Sequence, residues 1–171
     1  MEDKYVDWED IVKRLSSSIE GYVGYDKPDE RAISDRALRS FSIARLEEAR
    51  KLLDEVGRIL TDQGFLDTGR RMFDLRDRVK DLINTLGSEE HLKNKFFKKR
   101  KISEEVVSEV VYLDNKIVKD VNELTFTIDK LYAEIEGGAV RGLGVYIFNI
   151  SKIIERIKEN IGKRSERIVL R

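Results

Sequence analysis

Between Leu92 and Lys101 the chain reads LKNKFFKKRK. Six of these ten residues, Lys93, Lys95, Lys98, Lys99, Arg100 and Lys101, are cationic, and two adjacent aromatics, Phe96 and Phe97, sit among them. Ammonium and guanidinium groups neutralise phosphates, and exposed rings stack on unpaired bases. The stretch therefore has the composition of a site for single-stranded RNA or DNA. The same charge suits an anionic membrane surface. The alternative is structural: a solvated turn between helices, with both phenylalanines packed under the end of a bundle.

Other chemistry finds little support. There is no cysteine, which removes disulfides, thiolate metal sites and thiol nucleophiles. His91 is the single histidine, and no nucleophile signature surrounds it; it reads as a surface or capping residue. Gly137, Gly138, Gly142 and Gly144 form a cluster, but they follow a helical pattern and lack the Gly-Lys-Ser/Thr of a phosphate loop. A tight turn between helices accounts for them. No cofactor or metal site is expected.

The remaining enzymatic possibility is an all-carboxylate magnesium site. All-α nucleotide pyrophosphohydrolases place Glu-x-x-Glu and Glu-x-x-Asp on facing helices. The nearest pieces here are Asp74-x-x-Asp77 and Asp120-x-x-Glu123, and both depart from that pattern in residue type. Asp120 and Glu123 also flank the apolar seam of their helix instead of lying in it. A magnesium-dependent nucleotide pyrophosphohydrolase is thus a remote alternative.

The elements that must position these residues are helices. From Ser103 to Glu136, Val106, Val110, Leu113, Ile117, Val121, Leu124, Ile128, Leu131 and Ile135 recur at steps of three and four, with one extra step of four at Ile117. This is a heptad seam that shifts once. Val107, Val111 and Val118 form a second row beside it, so the stripe is wide and must be covered from more than one side. Ser103 is a good N-cap, Glu104 and Glu105 favour the first turn, and Gly137 and Gly138 stop the helix.

Before this rod the pattern predicts a helix over 7–22, capped by Asp7 with Val6 stapled to Ile11, which uses the lone Trp8 for packing. A long helix over 26–64 follows, with Ile33 among its inward positions and Gly57 marking a close crossing. A further helix covers 67–86, and a short one precedes Lys99. After the rod a helix over 140–162 carries the seam Leu143, Ile147, Ile150, Ile154, Ile157 and Ile161. The tail over 163–171 is basic and ends in Ile168, Val169 and Leu170, an apolar trio suited either to folding back or to contacting a partner or second copy.

Four long helices plus one or two short ones, joined by short connectors, predict an all-α antiparallel bundle forming one domain over 1–171. Charged residues make up 39% of the chain and there is one proline, as long helices require. Abundant Lys, Glu, Arg, Ile and Val with almost no Gln or Met gives a thermophile-like composition. The N-terminus is acidic and lacks a signal-peptide core, and no apolar run reaches a membrane span, so a cytoplasmic protein is expected.

The zero net charge conceals segments. Residues 103–138 hold nine carboxylates against three cations, whereas 64–102 and 139–171 are each net +5. The rod's carboxylates are therefore expected to meet basic neighbours before any ligand. The function this supports is a non-enzymatic interaction or assembly module that self-associates. Nucleic-acid binding through 93–101 stands as the alternative.

Overall fold

The computed structural model describes residues 7–169, and these are all-helical, with no strand among them. Six α-helices follow in order: α1 Trp8–Ser18, α2 Pro28–Asp62, α3 Leu66–Gly87, α4 Lys95–Lys98, α5 Glu104–Glu136 and α6 Leu143–Ile168. A 3-10 turn, Glu90–Lys93, precedes α4. This is the expected helical bundle. Val6, the proposed staple, and Leu170 of the tail lie outside the described residues.

The chain gathers into two compact units. The first contains the described parts of Met1–Ser42, Ser88–Val118 and Glu159–Arg171; the second contains Ile43–Gly87 and Lys119–Lys158. The boundary in α5 falls after Val118, one residue past the extra step at Ile117. A seam that rotates there is what a helix needs if it contributes to two cores in succession.

In the second unit, the later part of α2 pairs with α3 in antiparallel fashion. Arg76 donates to Asp54 at 2.6 Å, and Phe73 and Gly69 lie against Gly57 and Thr61. Gly57 is the close crossing the sequence implies: a Cβ there would stand 2.5 Å from the Phe73 ring, and one on Gly69 would meet Thr61 and the Gly57 carbonyl. Alanine at either site should cost about 1–3 kcal/mol through overpacking, despite its better helix propensity. Urea unfolding of Gly57→Ala measures this; a gain in stability would contradict the packing argument. Leu53, Val56, Leu60, Met72, Val79, Val121, Leu124, Ile128, Leu131, Ile150 and Ile157 fill the core of this unit.

Gly64 closes α2 with φ +88°, and the Phe65 amide reaches the Leu60 carbonyl at 2.8 Å. That is the left-handed C-cap expected of glycine. Gly138, with φ +82°, ends α5 in the same way.

The first unit departs from expectation in three places. Helix α1 stops at Ser18, four residues early, because the Ser17 and Ser18 hydroxyls donate to the Arg14 carbonyl and Gly21 turns the chain at φ +84°. Ile33 of α2 is half exposed, and the buried face around it is instead Arg31, Ser34, Asp35, Leu38 and Ser42. Helix α6 runs through the supposed tail to Ile168. Its seam continues at heptad spacing from Ile161 to Arg164 and Ile168, and both of the latter are buried. Ile168 joins Ile11, Leu15, Tyr22, Phe96 and Val111 in this unit's core, so of the apolar trio only Val169 is exposed among the described residues.

No helix among the described residues is long and apolar enough to cross a membrane.

Candidate interaction surfaces

Three features could carry function, and each is built by different residues. The first is the basic segment. Arg31, on the first turn of α2, is 1% exposed and carries a guanidinium ringed by main-chain carbonyls. Its Nε donates to Tyr25 at 2.8 Å, Nη1 to Phe96 at 3.1 Å and Lys99 at 2.6 Å, and Nη2 to Asp26 at 3.2 Å. Burial lowers its pKa and the nearby Asp26 opposes that. Two segments, 25–26 and the end of α4 at 96–99, are thereby tied to one side chain.

Phe96 is the second anchor. It is fully buried, with its ring edge-on to Tyr25 at 5.6 Å and to Phe97 at 5.0 Å. Phe97 is half-buried against Phe96 and His91. The expected stacking role of Phe96 is corrected here: the ring is a plug in the core and offers no face to a base. Lys93, Lys95, Lys98, Lys99, Arg100 and Lys101, by contrast, are all exposed.

The second feature is a buried ionic layer in the first unit, formed by residues distant in sequence. Arg164 of α6 donates to Asp114 of α5, to Asp35 of α2 at 2.8 Å and to the Tyr25 hydroxyl at 2.7 Å. Tyr22 and Tyr25 in turn donate to Asp114 at 2.9 and 2.6 Å. Asp35 also holds Arg39 at 3.0 Å and lies 2.5 Å from His91 Nε2. His91 is thus a member of this network and not a capping residue.

Burial alone would raise the Asp35 carboxyl, but the His91 hydrogen bond and the Arg164 and Arg39 charges outweigh it and hold it below the ordinary carboxylate range. Burial drives both tyrosine hydroxyls well above their usual value, which keeps them neutral donors. Each polar group has a partner, so the layer is tolerated in a core. Its chemistry is structural, with no open face for a substrate on the atoms described.

Asp114 and Arg164 both sit on heptad positions. Asp114 occupies the place between Val111 and Val118 in the second row of α5, and Arg164 the place after Ile161 on α6. A charged residue on an otherwise apolar seam was the available signal.

The third feature is an apolar face on the second unit. Phe126 of α5 is 70% exposed, and Val145 and Phe148 of α6 are 64% and 60% exposed. Phe126 and Val145 flank an open groove of about 500 Å³ whose walls also include Lys130, Glu134, Arg141 and Asn149. Lys152 lies over the Phe148 ring at 5.4 Å. Helical spacing explains this: Val145, Phe148, Asn149 and Lys152 fall on one side of α6, and Phe126, Lys130 and Glu134 on one side of α5.

Three of the four carboxylates proposed for magnesium, Asp77, Asp120 and Glu123, are engaged by arginines. Asp120 accepts from Arg156 at 3.1 and 2.9 Å, and Glu123 accepts from the same guanidinium at 2.5 Å. Asp77 pairs with Arg76 at 2.9 Å. Among the described residues no group of three or more His, Asp or Glu side chains is arranged to hold a metal ion. The basic residues of α3 are partly spent in the same way, since Arg76 holds Asp54 and Arg78 holds Ser151 and Glu155.

Comparison with protein-family models, with curated proteins and with solved structures found no significant match.

Proposed function

We propose that the protein is an assembly module whose second unit pairs with a second copy of itself across the face of Phe126, Val145 and Phe148. The observation that carries this reading is the exposure of three large apolar side chains, each above one half: Phe126 and Val145 line one groove between α5 and α6, and Phe148 lies one turn on from Val145. Large aromatic side chains are worth most when buried, and contiguous apolar faces on single chains are interaction sites more often than solvent surface.

Three properties favour a second copy as the occupant. The chain carries zero net charge at neutral pH, so copies do not repel at long range. Lys130 and Glu134 stand one helical turn apart beside the groove, so a two-fold antiparallel crossing sets each lysine against the other copy's glutamate. The face also offers both a hollow, the groove bordered by Phe126 and Val145, and an exposed ring, Phe148, one turn along α6 from Val145.

The size sets the strength. Two rings and a valine at these exposures offer roughly 350 Å² of apolar surface per copy, near the lower end for a specific interface once a polar rim is added. We place association of so small a face in the weak, micromolar class, although area alone does not set affinity. Light scattering on the purified protein should show a mass rising from one chain towards two between about 1 and 200 µM, the range set by such an interface. A mass of one chain throughout would remove this reading.

A further inference from the structure

We infer that the 93–101 segment is a preformed, sequence-independent clamp for the phosphate backbone of double-stranded nucleic acid. This goes beyond self-association and uses the other unit. The carrying observation is a contrast in how the cations are used. Four carboxylates of α5 are answered by arginines of α6: Arg156 takes Asp120 and Glu123, Arg164 takes Asp114, and Arg167 takes Glu109. For these four the charge matching the sequence implies is met without this segment. Lys93, Lys95, Lys98, Lys99, Arg100 and Lys101 are exposed, and none pairs with a carboxylate among the described residues. On a chain of zero net charge that is a concentrated local field.

The segment is held in shape from beneath. Arg31 pins the Phe96 and Lys99 carbonyls, and Phe96 is locked into the core. Three consecutive cations, Lys98 to Arg100, follow directly on these anchors, so little backbone ordering remains to oppose binding. Arg31 adds a positive charge under the loop that is met by carbonyls and not by a carboxylate hydrogen bond.

Burial of Phe96 also decides the form of nucleic acid. Single-strand binders combine cations with exposed rings on which bases stack. Here Phe96 is inaccessible and Phe97 is half-buried, so cations alone remain. Cations alone read phosphates, and a duplex presents those at the highest density, about one charge per 1.7 Å of axis. Single-stranded binding through stacking, the expectation from sequence, gives way to duplex binding without base preference.

The test is fluorescence anisotropy of the full-length protein with a labelled 20-base-pair DNA duplex, the matching single strand, and vesicles containing phosphatidylserine. Six phosphate contacts predict that duplex affinity falls about 1,000-fold between 50 and 200 mM salt, and equally for unrelated sequences. Replacing Lys98, Lys99 and Arg100 by alanine should halve the salt slope, and replacing Lys98 and Lys99 by arginine should leave it intact. Far-ultraviolet circular dichroism and the melting temperature should stay at wild-type values in both variants. No duplex binding at 50 mM salt, tighter binding of the single strand, or binding of vesicles alone would each overturn the proposal.

Discussion

Arg164→Ala should lose about 3–5 kcal/mol of folding stability, because two buried carboxylates would be left without their shared cation. Asp35 and Asp114 are both fully buried, and the Arg164 side chain is 4% exposed between them. Total stability for a domain of this size is of order 5–15 kcal/mol, so the variant stands near the edge of folding. Arg164→Lys should recover little, since one ammonium cannot reproduce the fork that reaches Asp114, Asp35 and Tyr25 together. Equilibrium urea unfolding of wild type, Arg164→Ala and Arg164→Lys measures all three. A loss under about 1 kcal/mol for alanine, the level of a surface pair, would show that the layer is not ionic in the sense described.

The same layer should give an acid dependence. The Asp35 carboxyl lies below its usual value in the folded chain, and an unfolded aspartate titrates near 3.9. A depressed carboxyl contributes stability that is fully present above the unfolded pKa and is lost as pH falls towards the folded one. Wild type should therefore lose stability below about pH 4 more steeply than Asp35→Asn, which lacks that titration. Asp114 shifts upwards because burial dominates it, and it is present in both proteins, so the difference between them reports Asp35 together with its partners Arg164, Arg39 and His91. Parallel stability curves below pH 4 would contradict the assignment.

The second large effect concerns the apolar face. Phe126→Asp with Phe148→Asp should weaken self-association by at least 100-fold while leaving the helical signal unchanged. Both rings are mostly in solvent in the single chain, so folding gives up little. In the dimer each ring would be replaced by a carboxylate that must give up its water, a costly exchange at an interface even with Lys130 or Lys152 one turn away. Sedimentation velocity at concentrations where wild type is dimeric should find the double variant as one chain. Persistent dimer would place the contact elsewhere.

How far the sequence led differs by element. The α5 seam and its shift at Ile117, the glycine caps and the crossing at Gly57 were all legible, because spacing and backbone freedom are local properties. The end of α6 was not. Arg164 interrupted a run of isoleucines, and a charged residue followed by KRSER-like composition reads as solvated tail. Only the partner charges on α2 and α5 make that position a core position, and partners distant in sequence are invisible to periodicity.

Asp35 and Arg31 misled in the same way. Ile33 drew the inward face of α2 to itself, although the true face carries the polar residues that bind Arg164 and the loop carbonyls. Of the basic segment, the charges were plain and the fate of the aromatics was not. Whether a phenylalanine beside lysines stacks on a ligand or plugs a core depends on what lies beneath it, here Tyr25 and Arg31.

The absence of cysteine makes the central claim directly testable. Asn149→Cys places one thiol in the groove beside Phe126 and Val145, and Lys51→Cys places one on an exposed site of α2. Mild oxidation at 100 µM chain, within the micromolar range expected for this interface, should convert most of the Asn149→Cys protein to a covalent dimer and little of the Lys51→Cys protein. Equal cross-linking of the two, or none at Asn149→Cys, would contradict pairing through this face.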